Sequence, residues 1–261
     1  MPEVETLVRL LAPRLVGQRL LNVMTTPSRV FRGQQPVIAA CLTGQRIQAV
    51  ERYGKNILLR LDHHRVRIHL GMTGKLLFAP APATHPRAML AFEDDLLVFD
   101  DIRQFGRLEL LPLEEGGPAL GEDALAISPA AFTALLRERR GAIKNVLLNQ
   151  HCLRGMGNIY TDEALYRARI HPQCPSFLVP RRKVAALHVS MRALLQEAIA
   201  AGGSSISDYV DTDGQRGSFQ NRHEVYGKQG TPCPRCRTAI RRIVVCQRGT
   251  HYCPRCQRLP R

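Results

Sequence analysis

Long apolar runs are missing from this sequence of 261 residues. The apolar stretches are short and broken by charge, as in Asn56–Leu61, whereas a helix needs about 20 apolar residues to cross a bilayer. The first ten residues include Glu3, Glu5 and Arg9, which interrupt the apolar core that a secretory signal requires. We therefore expect a cytoplasmic protein without a membrane partner.

Acidic residues are scarce as well. The chain has 22 acidic and 37 basic residues, a formal net charge of +15 and a pI of about 10.1. Such a charge favours a polyanionic partner, usually nucleic acid. A generally basic soluble protein is the alternative, but eleven basic residues and one acidic residue lie between Gly214 and Arg261, so the charge is concentrated. An anionic membrane fits less well, because this region has no basic amphipathic helix with bulky apolar anchors.

Four of the eight cysteines form two C-x-x-C pairs, Cys233 with Cys236 and Cys253 with Cys256, separated by sixteen residues. In a chain without a secretory signal, this pattern favours a metal site over disulfides. Structural zinc prefers four tetrahedral thiolates, and a hairpin over residues 237–252 could bring the two pairs together. The pattern therefore predicts one structural zinc ion. Redox-active pairs are the alternative, but no βαβ pattern surrounds these cysteines.

The periodicity of the apolar residues changes along the chain. Val4, Leu7, Val8, Leu11 and Leu15 have the spacing of one helix face. Residues 18–111 contain short strands separated by Gly, Pro and Asp, which predicts an antiparallel sandwich or barrel. The predicted strands are Leu20–Thr25, Arg46–Glu51, Asn56–Leu61, Arg65–Leu70, Lys75–Phe78, Ala88–Phe92, Leu96–Phe99 and Arg107–Leu111.

The second half of the chain has helical periodicity. It follows a Gly/Pro/acid stretch, Leu113–Glu122, which is typical of a linker. The predicted helices are Ala130–Arg139, Ile143–Leu148, Met156–Arg167 and Arg181–Ala201. No internal repeat is evident.

Six short segments follow one another in an order that resembles a known family. They are Pro2–Thr6, Arg52–Lys55, His69–Gly74, Asp101–Gly106, then Ile143-Lys144 with Gly155–Tyr160 and Glu163, and finally Gln247–Cys253. Each segment is modest evidence alone. Together with the paired cysteines they cover nearly the whole chain, which resembles the formamidopyrimidine-DNA glycosylases.

The resemblance implies an α+β fold. Its parts are an N-terminal antiparallel β-sandwich with a flanking helix, a C-terminal helical domain of the helix–two-turn–helix type, and a zinc-finger β-hairpin. The implied boundaries are residues 1–113 for the catalytic sandwich, 114–223 for the helical DNA-binding domain and 224–258 for the zinc finger. A monomer is expected.

The resemblance also implies a bifunctional enzyme of base excision repair that acts on damaged double-stranded DNA. The family excises oxidised purines, chiefly 8-oxoguanine and formamidopyrimidines, and cleaves the strand by β,δ-elimination through a Schiff base. Its nucleophile is an N-terminal proline, whose secondary amine has a pKa below that of lysine and is partly neutral near pH 7. By position, Pro2 is the nucleophile and Glu3 is the general acid.

The N-terminus departs from the family pattern. Family members usually begin Met-Pro-Glu-Leu-Pro-Glu-Val-Glu-Thr, and Pro2-Glu3 aligns with the second Pro-Glu of that string. Either Pro2 and Glu3 serve as nucleophile and acid, or the start has been assigned three codons late. We favour the second alternative, because every other catalytic position is intact. A third alternative is that the chain is a catalytically inactive relative that only binds DNA.

Two basic residues match further catalytic positions. Lys55, expected at the start of a strand, resembles the lysine that donates a proton in β-elimination, although a lone strand lysine is more often a solvated edge residue. Arg248 resembles the finger-hairpin arginine that contacts phosphate and assists δ-elimination. The fixed fork of guanidinium donors suits that contact.

Met72, Arg103 and Phe105 resemble the wedge of the family. An enzyme that acts on a base inside a duplex must extrude the base and fill the gap. Met72 and Phe105 could instead be core residues, but Met72 stands between glycines in a predicted turn and Phe105 follows Arg103-Gln104. We therefore expect these three side chains to enter the duplex.

Four more residues match DNA contacts of the family. Lys144 and Asn158 belong to the helix–two-turn–helix region, where Gly155-Met156-Gly157 would bring backbone amides near a helix N-terminus that could bind phosphate. Arg139 and His85 match further contact positions.

Two other functions remain as alternatives. A zinc-ribbon binding module of transcription or of the ribosome accounts for the charge and the cysteines, but not for Lys55, Met72 and Arg103 together. A glycosylase of the endonuclease VIII type would prefer oxidised pyrimidines, whereas the Arg103-x-Phe105 pattern favours the purine type. Residues 208–221 form the loop that caps the flipped base in the family, and the sequence does not indicate their structure.

Overall fold

A computed structural model describes residues 1–114, 119–206 and 208–259. The described residues form two compact units. The sandwich unit holds the chain from Pro2 through the N-terminal strands, together with the later segment Ile199–Gln220. The helical unit holds Met1, the chain leading to Ala198 and the chain from Asn221 onward. Of the predicted linker, residues 115–118 lie outside the described residues.

The sandwich unit begins with a helix, α1 (Pro2–Leu15), whose predicted apolar face is buried. Glu3 and Glu5 lie in its first turn and Arg14 in its last, which complements the helix dipole. The other elements of this unit are β1 (Asn22–Thr25), β2 (Phe31–Arg32), α2 (Gln35–Leu42), β3 (Ile47–Tyr53), β4 (Asn56–Leu61), β5 (His64–His69), β6 (Lys75–Phe78), β7 (Pro86–Ala91), β8 (Leu96–Asp100) and β9 (Arg107–Pro112).

These strands form two sheets, which confirms the predicted sandwich and not the barrel. One sheet has the order β1-β7-β8-β6 and the other has the order β2-β9-β5-β4-β3. Neighbouring strands are antiparallel, except that the short β2 runs parallel to β9, a pairing that the sequence did not predict. Apolar side chains from both sheets, α1 and α2 share one buried core.

The segment Ile199–Gln220 also belongs to the sandwich unit, although the boundary expected at residue 223 assigns it to the helical domain. The N–H of Phe78 donates to the carbonyl of Thr212 at 2.8 Å, and the N–H of Ser204 donates to Oε1 of Glu3 at 3.2 Å. These contacts within the unit tie the segment to β6 and to the start of α1.

The helical unit contains most of the remaining elements. They are β10 (Glu122–Asp123), α3 (Pro129–Arg137), α4 (Ile143–Leu148), β11 (Leu153–Arg154), α5 (Asn158–Arg167), α6 (Arg181–Ala200), β12 (Arg241–Val245) and β13 (Arg248–Tyr252). The four predicted helices are therefore confirmed, with small shifts at their ends. Every helix in the described part of the chain is too short or too polar to span a bilayer.

The last two strands form the predicted hairpin, in which Val245 pairs with Arg248 and Arg241 pairs with Tyr252. The two turn residues, Cys246 and Gln247, have φ angles of 51° and 56°. Positive φ at both positions is typical of the type I′ turn, whose twist matches that of paired strands.

Helix α5 carries two adjacent buried carboxylates, Asp162 and Glu163. Glu163 accepts the N–H groups of Glu224, Val225 and Tyr226 at 3.0, 2.9 and 2.7 Å. Burial raises the pKa of the Glu163 carboxyl, and these three donors oppose that effect. The carboxylate thus fixes the chain directly ahead of the cysteine module.

Candidate active site and metal centre

The four predicted metal ligands meet at one point. The sulfur atoms of Cys233, Cys236, Cys253 and Cys256 all lie within 4.8 Å of one another. The distance is 3.9 Å between Cys233 and Cys256 and 3.4 Å between Cys236 and Cys253. A tetrahedron with zinc–sulfur bonds of about 2.3 Å has edges of about 3.8 Å. The donor set therefore fits one zinc ion, and four protein ligands are typical of a structural site.

Hydrogen bonds join the metal centre to the rest of the helical unit. The hydroxyl of Tyr166 on α5 lies 3.3 Å from the buried sulfur of Cys233. The N–H of Cys253 donates to Oε1 of Gln257 at 2.8 Å, and Nε2 of Gln257 donates to the carbonyl of Ile170 at 2.8 Å. The zinc module is therefore built onto α5 and the turn after it.

Arg248 begins β13 directly after the hairpin turn, and its side chain is exposed. Asn158, the first residue of α5, donates from Nδ2 to the carbonyl of Gly249 at 2.9 Å. These two predicted site residues lie close together in the helical unit. Arg139 is also exposed there, after the end of α3.

Lys144 has no exposed side-chain surface, although the sequence predicted a DNA contact. Its ammonium group donates to Oδ1 of Asp162 at 2.5 Å and to Oγ1 of Thr250 at 2.8 Å. Burial lowers the pKa of Lys144, and the charge of Asp162 opposes that shift. In this structure the lysine thus faces protein oxygens and not solvent.

The glycine-rich turn before α5 has the backbone shape that the sequence suggested. Gly155 has a φ of 102°, Gly157 caps the helix, and α5 begins at Asn158. The N–H of Gly155 donates to Oε1 of Gln150 at 2.9 Å, so this amide is already used within the unit.

The predicted wedge residues lie on two turns of the sandwich unit. Met72 is 65% exposed and Phe105 is 49% exposed, and the guanidinium carbon of Arg103 lies 4.6 Å from the centre of the Phe105 ring. A Cβ atom at Gly71 would come within 2.6 Å of the Phe105 backbone, so the two turns are in contact. Glycine is required there both by this contact and by a φ of 63°.

A buried carboxylate joins the two turns. Oδ1 of Asp101 accepts the hydroxyl of Thr73 at 2.5 Å, and Oδ2 accepts the N–H of Gly106 at 2.8 Å. The hydroxyl oxygen of Thr73 also accepts the N–H of Arg103 at 3.3 Å. Asp101 is completely buried, so the exposed wedge residues stand on a rigid base. Asp101 and Thr73 had no predicted role, although both lie in segments that resemble the family, Asp101–Gly106 and His69–Gly74.

Lys55 lies in the two-residue turn between β3 and β4, next to Gly54, and not at the start of the strand itself. Its charge is close enough to act on His69 at the end of β5. Burial is the largest effect that lowers the pKa of His69. The positive charges of Lys55, Arg107 and Arg67 lower it further. These cations make a positive region at this edge of the sandwich unit, where an anionic group would be favoured.

Pro2 and Glu3 begin α1, and Pro2 is buried. The carboxylate of Glu3 accepts the N–H of Ser204, and the hydroxyl of Tyr209 donates to the carbonyl of Glu3 at 3.4 Å. Met1 is 4% exposed. The start of the chain is therefore packed, and Glu3 is bonded to the segment after α6.

His85 precedes β7 and is half-buried, with its Nδ1 2.9 Å from the hydroxyl of Thr84. Its N–H donates to the carboxylate of Asp100, and its carbonyl accepts the N–H of Asp101. It therefore lies beside the base of the wedge turns.

Three family models match successive parts of the chain. Residues 1–108 match the formamidopyrimidine-DNA glycosylase N-terminal domain, and residues 120–210 match the formamidopyrimidine-DNA glycosylase H2TH domain. Residues 230–259 match the zinc finger found in FPG and IleRS.

Several whole proteins are similar to this chain over nearly its full length. A formamidopyrimidine-DNA glycosylase of Solibacter usitatus is 46% identical, covering 99% of this chain and 98% of that protein. One of Chloroflexus aggregans is 43% identical, covering 98% of each. A Lactococcus lactis FPG mutant in complex with a Fapy-dG containing DNA has a TM-score of 0.91 at 36% identity, with 98% of both chains covered. MutM in complex with carbocyclic 8-oxo-G containing DNA has a TM-score of 0.90 at 36% identity, again with 98% of both chains covered.

Replacing one cysteine of the metal centre should remove the metal. We expect Cys236→Ser to lose zinc and to unfold at a lower temperature, because three thiolates cannot complete the tetrahedral shell and zinc binding stabilises such modules. Metal analysis and thermal unfolding measure both effects. Cys246→Ser is the matched control, since Cys246 lies in the same module but outside the cluster. Full zinc content in Cys236→Ser would contradict the assignment.

Removing the Asp101 carboxylate should destabilise the protein. Asp101→Ala leaves the Thr73 hydroxyl and the Gly106 N–H without their acceptor, and each buried unpaired group costs about 1–3 kcal/mol. We expect denaturant unfolding to show a loss of at least that size. Asp94→Ala, at an exposed position, should stay within about 0.5 kcal/mol of the parent. Equal effects of the two substitutions would show that Asp101 does not hold the turns.

Proposed function

The chain belongs to the formamidopyrimidine-DNA glycosylase family, and from this membership we propose that it excises oxidised purines from duplex DNA and then cleaves the strand by β,δ-elimination. It is a DNA glycosylase of base excision repair with lyase activity, and damaged double-stranded DNA is its partner. The observation that best supports action on a base within a duplex is the exposed pair Met72 and Phe105. Two large apolar side chains held outward on rigid turns are typical of a surface that enters a partner.

The proposed chemistry requires a neutral secondary amine. Its attack on C1′ breaks the bond to the damaged base, which leaves with a proton from a general acid. The amine proton passes to O4′ as the C1′–O4′ bond breaks, and this ring opening gives an iminium ion. The iminium ion accepts electrons when C2′ loses a proton and the C3′–O bond breaks. Loss of a proton from C4′ then breaks the C5′–O bond and completes δ-elimination. Each elimination releases a phosphate, which nearby cations stabilise.

We assign the cations by their surroundings. Lys55 is proposed to act in β-elimination, because it stands in the positive region beside His69. Arg248 is proposed to bind the phosphate released in δ-elimination, because it is exposed at the turn of the zinc hairpin. Extrusion of the damaged base leaves its partner cytosine unpaired. Arg103 is proposed to contact this cytosine, since its guanidinium group lies over the exposed ring of Phe105. His85, Arg139 and Asn158 are proposed as further DNA contacts.

The nucleophile is proposed to be a proline at the end of the chain. Pro2, with Glu3 as acid, fills this role if Met1 is removed. The alternative is a chain with Pro-Glu-Leu between the initiator methionine and Pro2. The bond from Ser204 to Glu3 supports this alternative, because it already occupies the carboxylate that would act as the general acid.

We further propose a monomer that acts in the cytoplasm, where bacterial DNA is found. The part of the chain that the structure describes contains one zinc centre and one set of wedge residues, which is sufficient for a single lesion. An endonuclease VIII-like preference for oxidised pyrimidines is the competing specificity. Parallel excision assays on 8-oxoguanine, formamidopyrimidine and oxidised-pyrimidine duplexes decide between the two.

DNA binding should weaken steeply with salt, because each phosphate contact releases counterions. We expect Arg248→Ala to bind more weakly, to reduce the slope of log K against log salt by about one, and to stop after β-elimination. Titrations between about 50 and 200 mM salt and a product gel measure these effects. Arg241→Ala removes the same charge from the neighbouring strand and should leave the ratio of δ to β products unchanged. A flat salt response would contradict the phosphate contacts.

Borohydride trapping identifies the nucleophile, since only an imine between enzyme and sugar is reduced to a stable link. We expect the 261-residue form to bind an 8-oxoguanine:cytosine duplex but to be trapped poorly. The form with Met-Pro-Glu-Leu ahead of Pro2 should be trapped efficiently. A three-residue shift moves the amine by up to about 10 Å, which a proline side chain cannot compensate. Equal trapping of the two forms would instead establish Pro2 as nucleophile.

A further inference from the structure

The proposed chemistry gives no role to a fully buried charged pair in the helical unit. Lys144 on α4 and Asp162 on α5 are both fully buried, and their charged atoms are 2.5 Å apart. Replacing such a pair by apolar side chains is often neutral for stability, whereas removing one partner alone is strongly destabilising. A buried pair of this kind therefore needs an explanation other than stability.

The hydrogen bonds of this pair lead to β13, the strand that begins with Arg248. Nζ of Lys144 donates to the hydroxyl oxygen of Thr250 at 2.8 Å, and that hydroxyl donates to the carbonyl of Arg248 at 3.1 Å. The second oxygen of Asp162 accepts the N–H of His251 at 2.8 Å.

Among the described residues, β13 pairs with β12 alone, so its outer edge has no neighbouring strand there. In an antiparallel pair, alternate residues direct their N–H and carbonyl groups away from the partner. On β13 these outward groups include the carbonyl of Gly249 and the N–H of His251. Asn158 bonds the first and Asp162 bonds the second. Side chains of α5 thus occupy the place of a third strand and fix β13 in position.

We propose that Lys144, Asp162 and Thr250, here called the Lys144 bridge, are positioning residues for Arg248. The bridge fixes the backbone carbonyl of Arg248 and thereby the place from which its guanidinium reaches the phosphate. This inference rests on the proposed role of Arg248 in δ-elimination. It assigns to Lys144 an indirect role in the last step of strand cleavage, in place of a DNA contact.

The burial of Lys144 supports the indirect role. To reach a phosphate, its ammonium would have to leave Asp162 and Thr250. The carboxylate of Asp162 would then be buried without its cation, which is strongly unfavourable. Arg248 carries the same charge and is already exposed, so it can contact DNA without such a rearrangement.

The first test compares two substitutions at Thr250. Thr250→Val keeps the shape but removes the hydroxyl that accepts from Lys144 and donates to Arg248, whereas Thr250→Ser keeps the hydroxyl. We expect Thr250→Val to lower the ratio of δ to β products by roughly tenfold, about the effect of one hydrogen bond to a charged group, and Thr250→Ser to retain the parent ratio. Base release and borohydride trapping should be unchanged in both, and zinc content and unfolding temperature are measured alongside.

The outcomes of this test distinguish a failure of the Lys144 bridge from a failure of the proposed function. A parent-like product ratio in Thr250→Val overturns the bridge, and so does an equal loss of base release and δ-elimination, which indicates a general structural defect. All proteins in this test carry Met-Pro-Glu-Leu ahead of Pro2, the form expected to be active. If that parent releases no oxidised purine, the proposed function fails and not the bridge.

The second test measures salt dependence in the Arg248→Ala background, where the phosphate contact of Arg248 is already absent. Lys144→Met and Asp162→Leu together put an apolar pair in place of the charged one, which avoids an unpaired buried charge. With Arg248 present, we expect this double substitution to lower the ratio of δ to β products. In the Arg248→Ala background, we expect it to leave the slope of log K against log salt unchanged. A slope smaller by about one than that of Arg248→Ala alone would show that Lys144 itself neutralises a phosphate, and would overturn the proposal.

Discussion

The placement of the chain between Glu224 and His251 depends on two adjacent carboxylates on α5. Glu163 accepts three consecutive backbone N–H groups ahead of the zinc module, and Asp162 accepts the N–H of His251 within it. A buried anion is tolerated only when donors surround it. The carboxylates therefore admit one placement of this segment on the helix. A hairpin of two strands is marginally stable alone, and here it is held from one side by α5 and at its base by the metal centre.

The sandwich unit also contains a buried carboxylate that accepts hydrogen bonds and holds the chain in place. Asp101 is a buried acceptor for a hydroxyl and a backbone N–H, and above it stand the exposed side chains of Met72 and Phe105. In both units a buried acid fixes exposed residues that would be mobile on an unsupported turn. The few acidic residues of this chain thus include several with internal partners, while many arginines remain at the surface.

Much of the fold could be predicted from the sequence, because each element has its own local signal. The helical spacing from Val4 to Leu15, the paired cysteines and the separators between strands all act over short distances. The zinc centre was predictable for the same reason, because the C-x-x-C spacing of its four cysteines is typical of zinc ligands. The parallel pairing of β2 with β9 was not, because a two-residue strand has no periodicity to read.

Residues whose roles depend on tertiary contacts were harder to find. Lys144 was recognised within a family motif, but nothing in its sequence neighbours shows that its ammonium is buried against Asp162 and Thr250. That arrangement depends on which face of α5 contacts β13. Thr250 on β13 lies 88 positions after Asp162 on α5. The return of Ile199–Gln220 to the sandwich unit also leaves no local signal, because the bond from Ser204 to Glu3 joins residues distant in sequence.

This return has a consequence for synthesis on the ribosome. The chain emerges from its N-terminus, and domains generally fold as they become available. The strands of the sandwich emerge early, but the segment that bonds to Glu3 and to β6 emerges only after all of α6. The N-terminal unit therefore cannot complete its contacts co-translationally before most of the helical unit has been made. Cutting the gene between the two halves would separate Ile199–Gln220 from the sandwich unit to which it belongs.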